Sequence, residues 1–172
     1  LIELYKSREK PRGFIYNTEG NLINELEQSF PHQETVDQSR SIEEIFEDMK
    51  KNKPMDRLLY GDVGFGKTEV ALRAAMIAIN SGKVVFFLSP TTVLSDQHFI
   101  TSKNRLEHLG VNIELLSRFK SKKEQSKILN DLSNNKIDLV IGTHRLLSDD
   151  VPVENLGLLI VDEEHKFGVK HK

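Results

Sequence analysis

Apolar residues recur along this chain at two spacings, and the alternation between them lays out the fold. Ile42, Ile45, Phe46 and Met49 fall at helical spacing, which predicts an amphipathic helix over Val36 to Lys51. Pro54 closes the break that follows, and Arg57-Leu58-Leu59-Tyr60 predicts a short strand. Lys67 to Ser81 is Ala-rich and apolar on several faces, so a buried helix is expected, with Gly82 where a C-terminal glycine belongs. Strands and helices then alternate. Val84 to Leu88 has no polar alternation and predicts a strand buried on both faces. Thr92 to His108 predicts a helix with Leu94, Phe99, Leu106 and Leu109 near one side, and Val111 to Leu116 a strand. Ser121 and Glu124 form a capping box that opens a helix carrying Ile128, Leu129 and Leu132. Ile137 to Ile141 and Leu156 to Val161 are further continuously apolar strands.

This order of elements predicts an α/β domain whose parallel sheet is covered by helices on both faces. With 172 residues, the chain is long enough for one domain with a sizeable core. Residues 1–29 read as an N-terminal linker or peripheral helical segment, with Leu1 to Arg8 a helical tail and Asn17-Thr18-Glu19-Gly20 a turn. The chain starts on Leu and stops on Lys172 just beyond an apolar strand, so an excerpt of something longer is expected.

Composition excludes more than it selects. No apolar run approaches the ~18 residues of a membrane span. Cysteine is absent, which rules out a disulfide framework or thiolate metal site and fits a reducing cytoplasm. The six histidines show no metal-ligand spacing. A net charge of −2 carries no nucleic-acid signal, so any DNA binding must come from local surface. Arg118, Lys120, Lys122, Lys123 and Lys127 make the one dense basic cluster; it suits either a backbone-tracking surface or a solvated helix face.

The chemistry concentrates at two places. Gly61-Asp62-Val63-Gly64-Phe65-Gly66-Lys67-Thr68 matches G-x-x-x-x-G-K-[ST] between an apolar strand and a helix. In such a loop the backbone N–H groups curl toward phosphate oxygens, the helix adds its positive dipole end, Lys67 reaches the β and γ phosphates and Thr68 binds Mg²⁺. The second place is the strand end Leu158-Leu159-Ile160-Val161-Asp162-Glu163-Glu164-His165. Ligands of parallel sheets bind beyond the carboxyl ends of the strands, so Asp162 is the candidate metal ligand beside Thr68. Glu163, on the opposite face of the strand, is the candidate to orient or deprotonate the attacking water. His165 reads either as a coupling residue or as a surface histidine.

Together these residues resemble superfamily 2 helicases: the box Asp162, Glu163, His165 and the phosphate loop carry the likeness. Ser89 to Leu94 resembles the motif contacting the tracking strand's backbone, and Gly142 to Leu147 a second DNA-contact motif. Phe30, Thr35 and Gln38 resemble the adenine-recognising motif. Thr35 and Gln38 are equally spaced as a helix capping box, and Phe30 suits a crevice as well as an adenine. Met55 to Leu58, Glu69-Val70-Ala71, Ser117-Arg118-Phe119, Lys123-Glu124-Gln125 and Gly157 to Val169 resemble more narrowly the bacterial transcription-repair coupling factors, with RecG-type fork-remodelling helicases as the alternative. The resemblance is specific over Phe30 to Lys172 and weak before it.

It implies a RecA-like phosphate-loop NTPase lobe of three layers over residues 30–172, the first of two lobes that clasp ATP. It also implies ATP and Mg²⁺ as cofactors and double-stranded DNA as track, with RNA polymerase and excision-repair proteins as partners of other domains. Nucleotide contacts would come from Gly61 to Glu69, Phe30 and Gln38, and DNA contacts from Thr91, Thr92, Arg118, Thr143, His144 and Arg145. Thr92 and Thr143 suit helix capping as well. Lacking a second-lobe arginine finger, worth ~10³ to 10⁵ in rate in related enzymes, these residues alone are expected to hydrolyse ATP negligibly. A nucleotide-dependent binding switch is the rival of a different class; Glu163 argues against it.

Overall fold

The computed structural model describes residues 14–57, 59 and 66–162. They fall into two compact units, Leu1–Ser81 and Gly82–Lys172.

The regular elements among the described residues of the first unit are helices. Helix α1 (Asn21–Gln28) buries Ile23 and Leu26, three residues apart on one face, and packs against α3 (Lys67–Asn80). The stretch expected to be peripheral therefore contributes core here. Asn80 Nδ2 donates to the Glu19 carbonyl at 3.3 Å and the Asn17 N–H to Ser81 Oγ at 2.9 Å, fixing the entry to α1 at the end of α3. Helix α2 (Val36–Lys50) starts on the expected capping box and buries Gln38, Ile42, Ile45 and Met49 in one stripe against α3. Helix α3 is buried almost all round, as its alanines foretold, and Gly82 beyond it has φ +80°. Between α2 and α3, Arg57 reaches back to Asp48 at 2.6 Å and Glu44 at 2.7 Å, which ties the approach to the phosphate loop onto α2. Of the strand expected over Arg57–Tyr60, Arg57 and Leu59 are irregular; Leu58 and Tyr60 lie outside the described residues, as does the expected tail Leu1–Arg8.

The second unit is a parallel sheet of β1 (Val84–Leu88), β2 (Ile113–Leu116), β3 (Leu139–Gly142) and β4 (Leu156–Val161), in the order β2-β3-β1-β4. Helix α4 (Thr92–Leu106) crosses from β1 to β2, and α5 (Lys122–Ser133) from β2 to β3. Strand side chains alternate between the faces. Val84, Phe86, Leu88, Val140 and Leu116 form one cluster with Ile128 and Leu132 of α5. The intervening Val85, Phe87, Leu139 and Ile141 are also buried, and Phe87 meets α4 through His98. Helices thus lie on both faces of the sheet, an α/β layer architecture as expected.

Three boundaries and faces differ from the sequence expectation. Strands β2 and β3 each start two residues late, because Asn112 and Asp138 bond to each other: the Asp138 N–H donates to the Asn112 carbonyl and the Asn112 N–H to Asp138 Oδ2, both at 2.9 Å. Helix α4 buries Ser95, Ser102 and Leu106 rather than Leu94 and Phe99; small side chains let it lie close on the sheet. It ends at Leu106, where Glu107–Leu109 tightens into a 3₁₀ turn. Strand β4 is apolar throughout, yet Leu159 and Val161 are 47% and 40% exposed. Register aligns them with Phe86 and Leu88 on the α5 face, but α5 packs at the β2 end of the sheet and β4 stands at the other.

Candidate functional site

In the first unit, the phosphate side begins at Gly66, left-handed at φ +69°, whose conformation turns the chain into α3. Among the described residues no side chain caps this end of α3. The first N–H groups of a helix have no acceptor within it, so an uncapped start with its positive dipole end suits an anion. Lys67 and Thr68 lie half-buried in that first turn. Gly61, Asp62, Val63, Gly64 and Phe65 lie outside the described residues.

Behind this turn sits a buried polar network. Glu69, an acid that would repel a phosphate at a helix start, accepts from Arg73 Nε at 2.9 Å. Arg73 is 3% exposed, also bridges Glu34 at 2.9 Å, and holds its guanidinium 5.6 Å from the centroid of the Phe30 ring. Gln38 uses both ends of its amide: Oε1 accepts from the Thr35 N–H at 2.9 Å and Nε2 donates to the Gly66 carbonyl at 3.4 Å. A Cβ on Gly66 would collide with that Nε2. The capping role of Thr35 and Gln38 is therefore built, and the same glutamine joins α2 to the last glycine of the phosphate loop. Phe30, meanwhile, packs between Arg73 and His32, whose ring is 5.7 Å away.

In the second unit, the chemistry lies along the carboxyl edge of the sheet. Because every strand is parallel, the residues following each strand share that edge. In sheet order they are Arg118 after β2, Thr143, His144 and Arg145 after β3, Thr91 and Thr92 after β1, and Asp162 after β4. Strands lie ~4.8 Å apart, so the row spans roughly 15 Å. Thr91, rather than Thr92, caps α4, its hydroxyl accepting from the Leu94 N–H at 3.2 Å. Thr143 is 6% exposed and opens the 3₁₀ turn His144–Leu147 without a side-chain cap. His144 is exposed. Arg118 is exposed and lies 5.0 Å from the centroid of Phe119, itself 72% exposed. Arg145 is engaged inside the unit, bridging Asp150 at 2.7 Å and donating to Gln125 Oε1 at 2.9 Å. The same Gln125 donates to the Lys120 carbonyl at 2.9 Å, which stitches the loop after β2 to the one after β3. Arg145 holds the Asp150 carboxyl below the usual carboxylate range. Lys122, Lys123 and Lys127 lie exposed on α5, the solvated face of the basic cluster.

Among the described residues, Asp162 is held at two points. Its N–H donates to the Leu88 carbonyl at 2.8 Å, the last rung between β4 and β1, and its Oδ2 lies 2.7 Å from His98 Nε2. Glu163 and His165 lie outside the described residues.

The sequence reading missed His98, Arg73 and Glu34. Glu69 and Arg73 carried a signal: an acid four residues before a base on an otherwise apolar helix. His98 carried only a weaker one, a polar residue near the buried stripe of α4.

A family model described as DEAD/DEAH box helicase matches residues 35–172. The chain belongs to that family. Among DEAD/DEAH box helicases, it is 54% identical over all 172 residues to the transcription-repair-coupling factor of Bacillus subtilis (strain 168), and 53% to that of Borreliella burgdorferi. Those from Staphylococcus aureus strains are 51% identical. Each match covers 100% of this chain and 15% of the relative, so the chain spans about a seventh of their length. The similarity includes the first 29 residues, beyond the stretch where the motifs alone carry it. A RecG chain from a structure bound to a three-way DNA junction superposes with a TM-score of 0.88 at 40% identity, covering 96% of this chain and 23% of that one. A hypothetical ATP-dependent RNA helicase from Sulfolobus tokodaii, at TM-score 0.64 and 18% identity over 86% of this chain and 42% of that one, shares the fold. The architecture is therefore the RecA-like one of these helicases. Among the described residues no helix is long and apolar enough to cross a membrane.

Proposed function

We propose that this chain is the ATP-binding lobe of a cytoplasmic, ATP-dependent translocase on double-stranded DNA that acts on stalled RNA polymerase in transcription-coupled repair. The observation that carries the reading is the carboxyl edge of the sheet, where one row holds the DNA-contact candidates and, at its end, the anchored carboxylate of Asp162. DNA backbone contacts by Thr91, Thr92, His144 and Arg118 position a duplex without reading its sequence, with Thr143 buried at the start of the turn that presents His144. The uncapped start of α3, with Lys67, suits nucleotide phosphates. Thr68 and Asp162 offer the hard oxygen donors that Mg²⁺ takes. Mg²⁺, when bound, neutralises charge developing on the transferred phosphoryl group. Glu163 is placed in the sequence to orient or deprotonate the attacking water. Relatives named as coupling factors at 51–54% identity, against 40% for RecG, favour this parent over a fork remodeller.

The reading is tested in the full-length protein. Lys67→Ala should abolish binding of a fluorescent ATP analogue. Glu163→Gln should bind the analogue but lose DNA-stimulated hydrolysis at least 100-fold, on the order expected of a positioned base. Undiminished hydrolysis by Glu163→Gln would instead favour a binding switch.

A further inference from the structure

We propose that His98 is a positioning residue for the metal-binding carboxylate, setting the rotation of Asp162 through the bond from Nε2 to Oδ2. The proposal rests on the reading of Asp162 as a metal ligand. A carboxylate turns easily about its terminal torsion, which is broad rather than staggered. Two contacts among the described residues restrict it here. The backbone N–H of Asp162 is held by Leu88 at 2.8 Å, and Oδ2 is held by His98 at 2.7 Å.

His98 is itself immobilised. Its ring lies 4.5 Å from that of Phe87, with 30° between the planes, and its side chain is 13% exposed. Phe87 precedes Leu88 on β1, so one strand supports both the imidazole and the aspartate backbone. The remaining support is α4, where His98 stands two turns from the Thr91 cap. That cap and Thr92 are two of the DNA-contact candidates. The bond from His98 to Asp162 thus links α4 to the end of β4.

His98 and Asp162 are part-buried, 13% and 27% exposed at their side chains, so water screens their bond only in part. Hydrogen bonds from a second residue to a metal-binding carboxylate commonly change metal affinity or activity by about 10–100-fold.

The experiment uses the full-length protein and three variants: His98→Leu, which keeps apolar packing on Phe87 but has no N–H; His98→Gln, which restores a donor; and Asp162→Asn. Binding of Mn²⁺ in the presence of ADP is followed by electron paramagnetic resonance, with no turnover involved. The magnesium dependence of ATP hydrolysis is measured alongside. Expected is an affinity for Mn²⁺ about 10–100-fold weaker in His98→Leu, mostly recovered in His98→Gln, with KM for ATP at saturating metal little changed. His98→Leu and His98→Gln binding Mn²⁺ alike would overturn the proposal. So would wild-type affinity in His98→Leu while Asp162→Asn loses it, which leaves the metal reading standing. Wild-type affinity in Asp162→Asn would remove the metal reading and the proposal together.

Discussion

Arg145 grips Asp150 at two points, Nη1 to Oδ1 at 2.7 Å and Nη2 to Oδ2 at 2.9 Å, while its Nε donates to Gln125. Parallel bonds of this kind match the planar guanidinium to the carboxylate and fix its direction. Both ends of the fork are committed, so the residue adds less positive charge to the carboxyl edge than its sequence position suggests. Asp150→Asn should release it. Expected is tighter duplex binding at low salt, with the slope of log affinity against log salt steeper by about one. Fluorescence anisotropy over a salt series measures this; an unchanged slope would mean that the released Arg145 does not reach the duplex. The carboxyl of Asp150 is held low by Arg145, so the link is present above the ordinary carboxylate pKa and is lost as pH falls through the lowered one.

Asp138 shows the opposite sign. Burial raises its pKa, and the Asn112 N–H, which favours the charged form, only partly offsets this. A carboxyl whose folded pKa lies above its unfolded value stabilises the fold below the unfolded pKa, and that stability is lost as pH rises through the folded one. The fold therefore disfavours the charged form of Asp138. Asp138→Asn keeps an oxygen for Asn112 and removes the charge, so Tm should rise at pH 7 and change little near pH 3. Thermal unfolding across that range tests it; a Tm gain equal at both ends would be against the charge argument.

Arg73, Glu69 and Glu34 form a buried ion network in which Arg73 Nη2 has no partner among the described residues. Removing one member of a buried pair leaves an uncompensated charge. Arg73→Met should therefore lower stability by about 3–5 kcal/mol in urea unfolding. Neutralising Glu69 and Glu34 in the same variant should recover most of that loss. A single-variant loss below about 1 kcal/mol would mean that the carboxylates find water instead.

Gly142, the last residue of β3, lies where β2 and β3 close together. A Cβ there would stand 2.5 Å from the Leu116 carbonyl oxygen and 3.1 Å from Leu146 Cγ. Gly142→Ala should cost about 1–3 kcal/mol, as overpacking does, and shift the turn that carries Thr143 and His144. Thermal unfolding gives the first effect and duplex affinity the second.

Most of the second unit was legible because its signals are local. Val84–Leu88 and Leu156–Val161 are unbroken apolar runs, and Ser121 with Glu124 is a complete cap; each appears where the pattern put it. What was hidden depends on pairs distant in the chain. His98 and Asp162 are 64 residues apart, and nothing near either announces the other. The exposure of Leu159 and Val161 follows from strand order, which composition does not encode. In the site, the Gly66-Lys67-Thr68 helix start was readable from its residue types alone. The commitment of Gln38 to Thr35 and Gly66 needed packing to decide it.

The strand order also bears on how the chain is made. Strand β1 is flanked by β3 and β4, which emerge from the ribosome long after it. Val84-Val85-Phe86-Phe87-Leu88, an uncharged run buried at every position in the finished sheet, waits for both neighbours. At ~5–20 residues per second, β4 follows roughly 4–15 s later. During that interval the run is an open, sticky edge of the sort that seeds aggregation. A nascent chain stalled between β1 and β4 should accordingly be a strong client for chaperones.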